Sequence, residues 1–243
     1  MFVTLGRHIG MASLAGMIAG VVVGGLLGRV AMRVAGFMSP GMIGVRTDNG
    51  NIVGDITLAG TIALIVFVGV AIGVVGGVLY AFTEPWLRRF RPWHGLIFGV
   101  GLLGAAGFGT LDPSNPDFIR FGSAPVNVAM FAALFVLFGV ATGWLFDGLH
   151  GVAARGHTPA RVVEGLAWLA LLPVALLVPL GLAGLASGSV PLSASLSAGA
   201  LAMAVVARWR RFPQLVGYLA LAVPVVSGSA RLAGSVQALL SGL

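Results

Sequence analysis

Gly16-Met17-Ile18-Ala19-Gly20-Val21-Val22-Val23-Gly24-Gly25-Leu26-Leu27-Gly28-Arg29-Val30-Ala31-Met32-Arg33 decides what kind of molecule this is. Gly16, Gly20, Gly24 and Gly28 recur every four residues in an otherwise apolar run. Side chains four apart share one helix face, so the glycines leave a bare groove. Lipid tails are as apolar as leucine, so helices in a bilayer gain nothing by hiding apolar surface from one another. Close backbone approach at small residues drives their packing instead. The groove therefore predicts a second helix laid against it, with Arg29 and Arg33 carried to one end of the contact.

Composition agrees. Of 243 residues, 58% are hydrophobic and only 9% charged, against roughly 25% charged in a soluble domain. Apolar runs cover the whole length, which predicts one integral membrane domain over residues 1–243. The chain has no Cys, which excludes disulfides, thiolate metal sites and cysteine nucleophiles. All 14 of its Lys and Arg positions are Arg, so no lysine can form the Schiff base of a retinal protein. The net charge of +7 reads as the arginine bias that orients a membrane protein, not as a nucleic-acid surface.

A span needs about 20 apolar residues. That rule predicts an all-α polytopic bundle of about seven helices, at 9–28, 58–82, 94–111, 126–146, 163–186, 190–207 and from 214 onward. The first should be kept as an anchor, since no small-residue cleavage site follows it. Asp48-Asn49-Gly50 is a turn signal between the first two helices. Arg88, Arg89 and Arg91, then Arg155 and Arg161, then Arg208, Arg210 and Arg211 follow the second, fourth and sixth helices. The alternate loops hold Arg46 and Arg120 with the acids Asp48, Asp55, Asp112 and Asp117. This alternation predicts an inside N-terminus and an outside C-terminus.

Some segments match in pairs, which reads either as a parallel repeat or as chance recurrence of Gly, Val and Ala in apolar helices. Gly69-Val70-Ala71-Ile72-Gly73 matches Gly139-Val140-Ala141-Thr142-Gly143, and Gly16-Met17-Ile18-Ala19-Gly20-Val21 matches Gly95-Leu96-Ile97-Phe98-Gly99-Val100. The first two helices would then correspond to the third and fourth, with units at 9–93 and 94–161 and C-terminal helices in 162–243.

Few constellations carry chemistry. Arg29, Arg33 and Arg231 are the charges nearest the hydrocarbon, and charge at that depth points to function. With Asp48, Asp55, Asp112, Asp117 and Arg120 they form a candidate outward site for an anion. The plainer reading is that they snorkel or pair with the loop aspartates. Asp112 to Asp117, with two prolines, reads as a loop cap more than a calcium site. His8, His94, His150 and His157 fall in inner segments, away from the bilayer depth a haem ligand needs; His150 and His157, with Asp147, read as solvated loop residues more than as a metal site. Asp147 and Glu164 stand at the inner ends of expected helices and no acid falls deeper; hydrolase and Walker signatures are absent. No metal or other cofactor is expected.

Gly28-Arg29-Val30-Ala31-Met32-Arg33, Gly44-Val45-Arg46-Thr47-Asp48 and Asp112-Pro113-Ser114-Asn115-Pro116-Asp117-Phe118 resemble a group of uncharacterised multi-pass membrane proteins of GC-rich bacteria. The resemblance covers roughly the first 150 residues and implies no activity. The leading expectation is a non-enzymatic subunit of a bacterial cytoplasmic membrane. It would pack against other membrane chains, or against itself, through Gly16, Gly20, Gly24, Gly28, Gly69, Gly73, Gly77, Gly139 and Gly143. The alternative is a small outward-facing binding or transport protein for an anionic or lipid-like solute. An enzyme acting on a lipid phosphate has only the arginines in its favour.

Overall fold

Residues 2–46, 52, 57–115, 120–155, 158–175 and 214–241 are described by the structure, a computed structural model. Among them the elements are helical. A single antiparallel bridge, Arg46 to Ile52, flanks the Asp48-Asn49-Gly50 sequence. Helix α1 is continuous through Phe2–Ala19, a π-helical stretch Gly20–Leu27 and Gly28–Phe37. Helix α2 repeats that pattern: Leu58–Leu64, the π-helical Ile65–Ile72, then Gly73–Leu87. The Thr57 hydroxyl starts it by accepting the Gly60 N–H at 3.1 Å. Helix α3 is His94–Ala106, α4 is Ala124–Ala154, α5 is Thr158–Leu169 and α6 is Gln214–Ser241.

Among the described residues three stretches, Val3–Phe37, Leu58–Phe90 and Ala124–Ala154, are helices long and apolar enough to cross a membrane; His94–Gly109 is a shorter apolar helix. Several boundaries differ from expectation, two of them at charged residues. The first helix does not stop at Gly28 but runs on to Phe37, because arginine is a good helix former and Val30, Ala31, Val34 and Ala35 continue the apolar pattern. The fourth passes 146 and takes Asp147 and His150 into its last turns. A turn at Ala170 interrupts helix α5, which resumes over 171–175; Pro173 has no N–H for the Leu169 carbonyl. The expected helix at 190–207 and the end of the fifth lie outside the described residues.

Glycine sets the helix contacts. Helices α1 and α2 are antiparallel. A Cβ on Gly16 would stand 2.6 Å from the Gly77 Cα, one on Gly20 would stand 2.8 Å from the Gly73 Cα, and one on Gly77 would stand 2.8 Å from the Ser13 Cα. Toward Gly28 the helices separate, and its nearest neighbour is a Leu64 methyl at 3.9 Å. Helices α3 and α4 meet the same way: a Cβ on Gly99 would lie 2.8 Å from the Val136 Cα, and one on Gly143 would lie 2.9 Å from the Gly95 Cα. Gly139 sits directly on the Gly99 backbone. Helix α6 runs parallel to α3, with Gly228 on the Gly104 carbonyl.

The π-helical stretches have a geometric reading. Four residues overshoot a 3.6-residue α turn by roughly 40°, so a four-residue glycine stripe drifts around an α-helix. A π turn holds about 4.4 residues and drifts the other way. Alternating the two keeps Gly16, Gly20 and Gly24 facing α2.

Gly20→Leu should therefore destabilise the protein by more than the about 1–3 kcal/mol typical of overpacking, because the neighbour is backbone and cannot yield. Gly165→Leu, where a Cβ meets nothing within 4 Å, should be nearly neutral. Thermal melting in detergent micelles checks both; equal melting temperatures would contradict the packing.

Candidate functional site

Of the expected site residues, Arg29, Arg33, Arg231, Asp112 and Arg120 fall among the described residues. Arg29 is half-buried in α1, and its Nε is enclosed with no hydrogen-bond partner. Arg33 is exposed and lies over Phe37 of its own helix at 5.3 Å. Arg231, on α6, lies over Phe108 at 5.5 Å, in the turn that ends α3. Asp112 is exposed and accepts the Ser114 N–H at 2.9 Å, an Asx turn that caps its loop. Arg120 is exposed. Asp48, Asp55 and Asp117 lie outside the described residues. The expected packing glycines are all in contacts within the chain.

A denser polar group stands at the other end of the bundle, where α1 begins, α2 ends, α3 begins, α4 ends and α5 begins. Tyr80 is completely enclosed, and its hydroxyl is 2.7 Å from His94 Nδ1. His94 is buried too, and its Nε2 is 3.2 Å from Asp147 Oδ2. The other Asp147 oxygen accepts from the Arg91 guanidinium. A carboxylate can only accept, so Nε2 carries the imidazole proton and Nδ1 accepts from the tyrosine O–H. The chain Tyr80–His94–Asp147–Arg91 is thus satisfied link by link.

A second group surrounds it. Glu84 is buried, 4.0 Å from His8 Nε2 and 4.0 Å from Arg88 Nε. His8 Nε2 is also 3.2 Å from the Ala81 carbonyl. The Phe146 ring lies 5.3 Å from His8, 4.2 Å from His150 and 5.2 Å from Tyr80. Arg7 pairs with Glu164 at 2.8 Å, joining α1 to α5. Among the described residues no three His, Asp or Glu side chains come together as a metal site.

One expectation is corrected here. Glu84 and Asp147 lie inside helices, because α2 and α4 run longer than the apolar windows indicate, and Glu164 falls in the second turn of α5, which begins at Thr158. His94, expected only as a residue of an inner segment, is buried, because α2 and α4 close over it. The register of the glycine contact carried a usable signal: once Gly95 opposes Gly143, His94 and Asp147 fall within one turn of each other.

Beside this network a pocket of about 470 Å³ lies between α3 and α4. Trp93, Leu96, Val140 and Trp144 supply apolar lining, and Arg91, His94 and Asp147 the polar groups. Trp144 is 77% and Trp93 63% exposed, so the pocket is rimmed by indole rings. Hydroxyl, imidazole and carboxylate in that order resemble a nucleophile relay, but the Tyr80 hydroxyl is sealed from any substrate. What the arrangement offers is a concave apolar slot with ionic groups along one side, of the size that small-molecule sites take.

Comparison of the chain with protein-family models, with curated proteins and with solved structures finds no match.

Tyr80→Phe leaves His94 Nδ1 without its donor and should cost about 1–3 kcal/mol. Adding His94→Leu removes both partners, so the pair should cost less than the two single changes together. Melting of the two single variants and the double variant measures this; strict additivity would mean the hydrogen bond adds nothing to stability.

Proposed function

We propose that the protein is a seven-helix protein of a bacterial cytoplasmic membrane that acts by binding, not catalysis, with its ligand site in the pocket of the basic end. The pocket between Trp93 and Trp144 carries this reading: there, among the described residues, an apolar cavity and several ionic side chains coincide. A molecule taken there would be amphipathic, with its apolar part against the indoles and its polar part toward Arg91 and Asp147.

The seven crossings and their orientation are supported by polarity. Helix α5 starts beside the start of α1, through Arg7–Glu164 and Gly10 against Ala167, and so leaves the basic end. Helix α6 begins at that end, with Tyr218 under Arg89 at 4.7 Å, and finishes at the opposite one, with Leu239 in the same cluster as Leu111. An odd number of crossings fits both. Arg7, Arg88, Arg89, Arg91 and Arg155 gather at the end read as cytoplasmic. The repeat is supported by matching contacts: Gly20 on Gly69 and Gly16 on Gly73 correspond to Gly99 on Gly139 and Gly95 on Gly143.

The subunit reading draws on a different observation. The first half of α2 packs on α1 and leaves Leu58, Ile62, Phe67 and Ile72 exposed. A partner chain would meet these side chains, since the glycines are occupied within the chain.

Two measurements test the proposal. The chain has no native Cys, so single Thr4→Cys and Leu240→Cys variants can be labelled in intact cells with an impermeant maleimide. Labelling of Leu240→Cys alone is expected; equal labelling of both would contradict the topology. Val140→Trp fills the pocket. Protein purified in gentle detergent should carry a bound small amphipath that this variant loses by at least about tenfold. An unchanged complement of small molecules would contradict the site, and co-purifying membrane chains in its place would favour the subunit reading.

A further inference from the structure

We infer that the occupant of the pocket is an anionic phospholipid of the leaflet at the basic end, with its phosphate on Arg91 and an acyl chain between Trp93 and Trp144. The inference rests on the pocket being the ligand site, and it adds the ligand's chemical class and source.

Access comes first. The surface around the pocket is made of exposed apolar side chains on two helices, Ile97 and Val100 on α3 and Leu137 and Val140 on α4. On a membrane helix such a face is turned to lipid. A phospholipid in that leaflet reaches the slot by lateral diffusion. Indole rings at the rim suit the headgroup boundary, where tryptophan concentrates.

Charge decides the headgroup. Arg88, Arg89 and Arg91 fall within four residues at the turn between α2 and α3. The one carboxylate of the lining, Asp147, already has both oxygens engaged, by Arg91 and by His94. Arg91 spends one N–H on that bond, and a guanidinium has five, so a second acceptor can be held without breaking the pair. The α3 N-terminus at His94 and Gly95 also lines the pocket, and its dipole favours an anion. Arg89 is engaged otherwise, with its guanidinium over Phe90 and Tyr218, each at 4.7 Å. Basic residues near a membrane surface each favour anionic lipid by about fivefold. A zwitterionic headgroup would bring its own cation against the same arginines.

Delipidated full-length protein in detergent, titrated with dioleoylphosphatidylglycerol or dioleoylphosphatidylcholine and read by native mass spectrometry, tests this. Wild type should bind the anionic lipid at least about fivefold more tightly. Arg91→Gln should bring the ratio near one, Arg91→Lys should keep most of it, and Val140→Trp should lose both lipids. If Arg91→Gln is unstable, Arg91→Gln with Asp147→Asn removes the pair as a unit and should show the same loss of preference. Equal affinities in wild type, or an undiminished preference without Arg91, would overturn the headgroup assignment. The pocket itself would still stand, provided Val140→Trp abolishes binding. Unchanged binding of both lipids by Val140→Trp would overturn the pocket as well.

Discussion

Backbone-to-backbone contact at glycine is the constraint on which this structure depends. At Gly16, Gly20, Gly73 and Gly77, and again at Gly95, Gly99, Gly139 and Gly143, adding one carbon atom would drive it into the facing main chain. Such proximity gains dispersion energy along the whole contact, and it leaves little freedom in register. Two antiparallel helix pairs result, and α5 and α6 are added around them through further small residues, Gly10 on Ala167 and Gly228 on Gly104.

Register is what links packing to chemistry. With Gly95 seated on Gly143, the first residue of α3 and a residue one turn further along α4 must meet, and these are His94 and Asp147. With Gly16 seated on Gly77, the last turns of α2 bring Tyr80 and Glu84 toward the first turns of α1 and His8. Polar side chains that are scattered in sequence converge because the helices are pinned a few residues away. Once assembled, the group is nearly self-satisfying: the tyrosine hydroxyl, imidazole, carboxylate and guanidinium each meet a partner, as a buried polar network requires. It stiffens one wall of the pocket and leaves the indole rim exposed.

Much of this was legible before the structure. The glycine stripe in α1 and its need for a facing helix could be read directly, as could the helix starts at Leu58, His94 and Gln214. Helix ends were harder, because a hydropathy window stops at the first charge while the backbone continues: Arg29 and Arg33 in α1 and Asp147 in α4 are helical. The site was harder still. Depth in the membrane drew attention to Arg29, Arg33 and Arg231, yet Arg33 and Arg231 lie over the phenyl rings of Phe37 and Phe108. Nothing in the local sequence marks His94, the first residue of an apolar helix, as buried. His94 is buried through long-range pairing, and only the register of two glycine faces, taken together, exposes that. The π-helical stretches followed from no single residue; they reconcile a period of four with a helix whose natural period is 3.6.

The central claim is that the glycine faces are spent inside one chain. Gly24 and Val68 test it directly, because a Cβ on Gly24 would lie 3.1 Å from a Val68 methyl, close to the spacing of a Cβ and the far sulfur across a disulfide. In a chain without native cysteine, Gly24→Cys with Val68→Cys, oxidised in native membranes, should close within each molecule. It should then run as a monomer whose two halves stay joined after cleavage at a protease site inserted between α1 and α2. Disulfide-linked dimers as the main product would mean that the glycine faces pair between molecules, and would contradict this account.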